Sequence, residues 1–163
     1  MKHRKLEESE ISAIKAAISR YIGKKAEELD FNNFLVLRGK SKNVVHVSSQ
    51  VMKSLKNHND IYSAGIHIGD LEEISGKEKF LPSLEGITLV SKYIEKNYAV
   101  INEKGEGLFL YSRDVFDSSI IELKGDGKVA VFNENKELLG IGKYNGKLIK
   151  NIMDRGWYLR YGG

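Results

Sequence analysis

The sequence predicts an α+β protein, with an N-terminal α/β part followed by a C-terminal part made of short strands. Three observations predict it. Apolar residues recur at helical spacing through Leu6, Ile11, Ile14, Ile18 and Ile22. Two β-rich runs, residues 34–37 and 44–47, flank the polar turn Gly39-Lys40-Ser41-Lys42-Asn43. After Lys96 the texture changes to brief apolar runs separated by glycine-bearing turns.

The first stripe predicts a helix over residues 7–22, with Gly23 as its stop. The two β-rich runs predict a hairpin. Ser48 is placed to cap a helix through Val51, Met52 and Leu55. Residues 61–71 predict one or two strands, and residues 79–81 a short one. Ser83 caps a further helix through Leu84, Ile87, Val90 and Ile94.

Beyond Lys96, strands are expected at residues 98–101, 108–111, 120–121, 129–132, 138–139 and 157–159. The turns carry Gly105, Gly107, Gly125, Gly127 and Gly146. In a strand, Trp157 and Leu159 share one face, with Trp157 expected in the core, while Tyr158 and Arg160 share the other. Short strands at this spacing predict a small closed barrel or sandwich. The expected domains are 1–95 and 96–163, with no Gly-, Ser- or Pro-rich linker between them.

Many chemistries lack their residues. The chain has no cysteine, which removes disulfides, thiolate metal sites and Cys nucleophiles, and fits a reducing, cytoplasmic setting. His3, His46, His58 and His67 form no metal-binding spacing. Gly125-Asp126-Gly127-Lys128 lacks the outer residues of a phosphate loop. Gly140-Ile141-Gly142 lacks the third glycine of a dinucleotide fold. These glycines are read as serving turns and close strand packing. No apolar run reaches the roughly 20 residues that span a bilayer. No cofactor, metal or catalytic residue is expected, and no membrane.

The charge is distributed unevenly. The net charge of +4 comes from 26 basic and 22 acidic residues. From Leu139 onward the basic residues are Lys143, Lys147, Lys150, Arg155 and Arg160, opposed only by Asp154. The rest of the chain is balanced. Tyr144, Trp157, Tyr158 and Tyr161 interleave with these cations. Cations suit a phosphate backbone, and aromatic faces can stack on unpaired bases.

Short motifs then appear in a fixed order. They are Tyr21-Ile22-Gly23, Val47-Ser48 before Met52-Lys53, Ser63-Ala64-Gly65, Gly69, Lys79-Phe80-Leu81, Phe109-Leu110-Tyr111, Val115, Val129-Ala130-Val131-Phe132 and Leu139-Gly140-Ile141-Gly142. Asp154-Arg155-Gly156-Trp157-Tyr158-Leu159-Arg160 closes the series. Over nearly its whole length the sequence resembles the Nip-seven family of large-subunit ribosome-biogenesis factors, its archaeal-type members in particular.

The resemblance implies an N-terminal α/β domain with an antiparallel sheet and a C-terminal PUA domain forming a β pseudo-barrel. It implies binding of pre-rRNA or rRNA, a preference for uridine-rich single strands, other ribosome-assembly or RNA-processing proteins as partners, and no catalysis. The RNA-binding candidates are Lys143, Tyr144, Lys147, Lys150, Arg155, Tyr158 and Arg160. A monomer is the default. The alternative functions are a protein-docking module acting through the acidic stretch Asp70 to Glu73 and, further off, an RNA-modifying enzyme.

The sequence departs from the family pattern in two places. Ser112 stands where a glycine is usual, which would strain a turn that needs positive φ. Asp70, Glu72 and Glu73 follow Gly69, where other members tend to be basic, so RNA contact from that loop is not expected.

Overall fold

The computed structural model describes residues 1–161, with the backbone alone at Tyr158. The chain divides into two compact units, Met1–Val90 and Ser91–Gly163.

In the first unit, β1 (Lys2–Lys5), β2 (Phe34–Arg38), β3 (Lys42–His46), β4 (Ile66–Ile74) and β5 (Lys77–Pro82) form an antiparallel sheet in the order β1-β2-β3-β4-β5. Helix α1 (Glu8–Ile22) packs along β5, and α3 (Leu84–Val90) against β4. Helix α2 (Ser49–Leu55) lies on the opposite face, where Met52 and Leu55 join Leu35, Leu37, Val45 and Val47 in one cluster. The period of two along β2 decides this division. Leu35 and Leu37 face α2, while Val36 between them faces the α1 side and is fully buried.

Local chemistry sets the end of α1 and the starts of α2 and α3 where the sequence placed them, although α3 ends at Val90 and does not run through to Ile94. Gly23 stops α1 at φ 58°. The Ser48 hydroxyl accepts the Val51 amide at 3.2 Å and caps α2. The Ser83 hydroxyl accepts the Gly86 amide at 3.1 Å at the start of α3. Within α1, Glu10 is fully buried yet completely paired. Arg4 donates to both of its oxygens, at 2.6 and 2.8 Å, and the Glu7 amide donates at 2.9 Å. Lys42 stands 3.6 Å from the same carboxylate and 2.5 Å from Glu78. Burial raises the Glu10 pKa, but the Arg4 hydrogen bonds, the Glu7 amide and the charges of Arg4 and Lys42 outweigh it. The net shift is downward.

The second unit holds β6 (Tyr98–Ile101), α4 (Glu103–Leu110), β7 (Val115–Phe116), β8 (Ile120–Lys124), β9 (Gly127–Phe132), β10 (Leu138–Tyr144), β11 (Leu148–Asp154) and α5 (Trp157–Tyr161). The sheet runs β7-β11-β10-β9-β6-β8. Every pairing is antiparallel except β6 with β9. It curls as a half-barrel around Ala99, Ile101, Phe109, Val115, Val129, Val131, Leu139 and Ile149. The α+β class, the antiparallel first sheet and the curled second one are as the sequence predicts.

Two expectations are corrected, and strand β1 went unpredicted. Residues 108–111 belong to helix α4 and its end, not to a strand. The Asn102 side chain caps this helix by accepting the Gly105 amide at 2.9 Å, and Phe109 enters the core from it. Gly105 and Gly107 therefore lie in a helix rather than in turns. A Cβ on Gly105 would stand only 3.1–3.2 Å from Ser119, Ile101 and Val115. Next, residues 157–159 form α5 instead of a strand, and Trp157 is 54% exposed rather than in the core. The last strand of the sheet is β11, and Asp154 ends it. Finally, β1 forms from the basic start of the chain, which carries no strand pattern of its own.

The reading of Gly140 and Gly142 as close-packing residues agrees with the structure. A Cβ on Gly140 would fall 2.1 Å from the Met153 carbonyl, and one on Gly142 would fall 2.2 Å from Ile149 Cγ2. Ser112 occupies the left-handed region at φ 62°, the strain expected there.

Candidate functional site

The sheet of the second unit brings together cations that lie far apart in sequence. In its register Lys143 on β10 stands opposite Lys150 on β11 and also opposite Lys128 on β9. Cross-strand partners share a face. Val129 and Ile149, the neighbours of Lys128 and Lys150, point into the core, so these lysines point away from it. All three are exposed. The result is a row of three ammonium groups across three strands.

Lys147 extends the row's charge into the β10–β11 hairpin. There Gly146 takes φ 93°, and Asn145 accepts the Lys147 and Leu148 amides at 3.0 and 3.1 Å. Among the described residues Lys143, Lys147 and Lys150 form no salt bridge. Their charge is therefore available to a partner.

The other candidates separate from this row. Tyr144 sits on the opposite face of β10. Its ring packs on the core and its hydroxyl lies 3.4 Å from Asp117. Arg155 is exposed just past β11, with its amide donating to the Leu139 carbonyl at 2.9 Å. Arg160 is turned inward. It donates to Asp154 at 3.0 and 3.3 Å and to the Leu110 carbonyl, tying α5 to the ends of β11 and α4. The Tyr158 side chain lies outside the described residues. The aromatic rings described at this corner are Trp157 and Tyr161, 5.6 Å apart, and Tyr111, which is exposed.

Sequence reasoning missed Lys128, because only the strand register places it beside Lys143. Its signal was positional. It directly follows the Gly125-Asp126-Gly127 turn, at the start of a core strand. Like charges set directly opposite each other destabilise a sheet. A polyanion laid across the row would relieve that repulsion, and lysines act on phosphates as point charges.

Other chemistry finds less support. Among the described residues no three His, Asp or Glu side chains gather as a metal site. No helix of these residues is long and apolar enough to cross a membrane.

Comparison with known proteins gives two family-model matches, which together cover most of the chain. The NIP7/UPF0113 pre-PUA domain matches residues 3–84, and the UPF0113 PUA domain matches residues 97–163. A UPF0113 protein of Archaeoglobus fulgidus is 31% identical over 167 residues, covering 93% of this chain and 91% of its own. A UPF0113 protein of Aeropyrum pernix is 29% identical over 130 residues, covering 77% and 72%. A conserved PUA domain protein from Thermoplasma acidophilum superposes with a TM-score of 0.58 at 16% identity, covering 94% of each chain. A hypothetical protein from Pyrococcus horikoshii OT3 gives 0.51 at 17% identity, covering 96% of this chain and 98% of its own. These two structures are likenesses of fold.

Proposed function

Because the chain belongs to the NIP7/UPF0113 family, we propose that it is an RNA-binding protein that binds pre-rRNA or rRNA during assembly of the large ribosomal subunit in the cytoplasm, without catalysis of its own. The observation that carries this reading is the exposed row Lys128, Lys143 and Lys150, flanked by Lys147. The two domains proposed for it are a pre-PUA domain over 1–95 and a PUA domain over 96–163.

Single-stranded RNA, uridine-rich in the first instance, is the substrate that this row suits. Its phosphates would follow the lysines across β9, β10 and β11. Unpaired bases would find aromatic faces at the α5 corner. Arg155 stands between the two as a further contact. Arg160 has a different part in this reading. Its guanidinium holds α5 in place through Asp154 and Leu110, and it contributes little free charge.

The docking alternative has less in its favour. Asp70 already accepts from Asn43 at 2.5 Å and lies 3.0 Å from His67, while Glu72 faces Lys79 across the sheet. Asp70, at the head of the acidic stretch, is thus answered within its own sheet, while Glu73 stands opposite Glu78.

The test is titration of a uridine-rich single strand at several salt concentrations. The wild type is compared with a Lys143→Glu, Lys147→Glu, Lys150→Glu variant whose fold is checked by circular dichroism. Each lost phosphate contact should flatten the log–log salt slope by about 0.7. A folded variant that binds as the wild type does would remove this surface from the function. A wild type that does not bind at all would remove RNA.

A further inference from the structure

The first unit carries a second basic surface that the sequence count conceals. Over residues 1–138 acidic and basic charges cancel, yet the fold separates them. In the register of β1 with β2, His3 pairs with Leu37 and Lys5 with Leu35. Both residues therefore lie on the sheet face that α2 covers. On α2 and its C-cap, Ser49, Met52, Lys53 and Lys56 follow one another at i, i+3, i+4 and i+7, a single side of the helix. Met52 packs on the Leu35–Leu37 cluster. The other residues of that side then border β1.

Between these two elements runs a groove of about 370 Å³. Its polar lining includes His3, Lys5, Lys53, Lys56, Asn32 and Asn33, above an apolar floor that includes Leu35 and Met52. Arg4 also borders it, but its guanidinium is spent on Glu10. No carboxylate is among the lining residues. Lys5, Lys53 and Lys56 are exposed, and among the described residues they form no salt bridge.

We propose that this groove is a second RNA contact, which takes the sugar–phosphate backbone through Lys5, Lys53 and Lys56. The proposal rests on reading the chain as an RNA-binding protein and extends that reading to the first unit. Three observations favour an RNA strand over an acidic protein segment. Lysine ammoniums make no demand on the orientation of an anion and suit a repeating, flexible chain of phosphates. The lining contains no Phe, Tyr or Trp, and its one ring, His3, has Nε2 2.7 Å from the His58 carbonyl, so the groove offers mainly charge and amide donors. The same chain presents the exposed lysines Lys143, Lys147 and Lys150 on its second unit, which the main reading already assigns to RNA. The contact is accordingly independent of base sequence. It adds affinity, while any base preference comes from elsewhere.

The test uses full-length protein and a labelled 20-nucleotide uridine strand, titrated across a range of salt. Four folded variants are compared with the wild type. The groove variant is Lys5→Glu, Lys53→Glu, Lys56→Glu. Its conservative counterpart replaces the same three lysines by arginine. A charge-matched control is Lys24→Glu, Lys77→Glu, Lys79→Glu, with two of its positions on β5, the opposite edge of the sheet from β1. The fourth is the β10–β11 variant described above.

The groove variant should bind at least tenfold more weakly near physiological salt. Its salt slope should flatten by about 2, as three lost contacts to single-stranded RNA require. The arginine version should bind like the wild type, and the control should lose far less. Replacing uridine by adenosine should leave the groove's share of the slope unchanged. If the groove variant follows the control, the groove is not an RNA contact. The β10–β11 variant still reports on the main reading in that case, so the two can fail separately. A wild type without RNA affinity overturns both.

Discussion

Lys143 on β10 faces Lys150 on β11 directly across the sheet, and among the described residues neither ammonium is held by a carboxylate. Two like charges at this spacing cost a sheet a few tenths to about 1 kcal/mol. Lys128, on the other side of Lys143, adds to the repulsion. Lys143→Thr should therefore stabilise the protein by about 0.5 kcal/mol in low-salt urea denaturation, a gain that shrinks as salt screens the row. The same substitution should weaken RNA binding. Loss of stability in the variant would mean that the lysine stem packs more than its charge repels.

The Arg160–Asp154 pair yields a prediction with a built-in reporter. Trp157, the only tryptophan in the chain, sits on the short helix that Arg160 secures. Arg160→Ala should free α5, raise the quenching of Trp157 fluorescence by acrylamide and expose the C-terminus to proteolysis. The midpoint of global unfolding should hardly move. Arg160→Lys should rescue only partly, because an ammonium cannot reach Asp154 and the Leu110 carbonyl with a fixed fork. Unchanged quenching in Arg160→Ala would show that α5 is held by packing instead.

These two pairs also mark how far the sequence could be read. Helix α1 was legible because fifteen residues of regular apolar spacing end at a glycine. The caps at Ser48 and Ser83 were legible because a hydroxyl before an apolar stripe has a local partner. The order of short motifs was legible as the family that the domain models match. Helix α4 was misread because Leu108-Phe109-Leu110-Tyr111 is a continuous apolar run with no period. Asn102, followed by Glu103 and Glu106, was the available sign of a helix start.

Helix α5 could not be read locally. Five residues carry no period, and the bond that fixes it spans fifty positions, from Arg160 to Leu110. The site was half legible for the same reason. Lys143, Lys147 and Lys150 cluster in sequence, whereas Lys128 joins them only through strand register. In the first unit, β1 and α2 assemble a basic groove from residues about fifty positions apart.

Ser112 offers a test of stored strain. It holds φ 62° after α4, where its amide donates to the Phe109 carbonyl at 3.0 Å. A non-glycine residue pays on the order of 1 kcal/mol or more for this conformation. Glycine avoids that penalty but loses more backbone entropy on folding. Ser112→Gly should raise stability by about 0.5 kcal/mol in chemical denaturation. Ser112→Val, β-branched in a left-handed turn, should lower it. If both variants lost stability equally, the hydroxyl rather than the backbone would be what matters there.

Glu10 sets the acid limit of the first unit. Its carboxylate is fully buried, and its folded pKa lies below the ordinary value because Arg4, the Glu7 amide and Lys42 together outweigh burial. A depressed carboxylate pKa contributes stability that is present above the unfolded value, near 4.5, and is lost as pH falls through the folded one. Unfolding free energy should therefore decline below about pH 4.5, with Glu10 contributing to the slope. Glu10→Gln should cost about 2–4 kcal/mol at neutral pH, since it leaves Arg4 beside a neutral, imperfect acceptor. It should also flatten the acid limb of the stability profile. Glu10→Leu paired with Arg4→Met should recover much of the loss, because removing both charges leaves no buried ion unpaired. If Glu10→Gln showed the wild-type acid slope, the titration would belong to other carboxylates. The Arg4–Glu10 pair would then hold α1 against β1 by geometry alone.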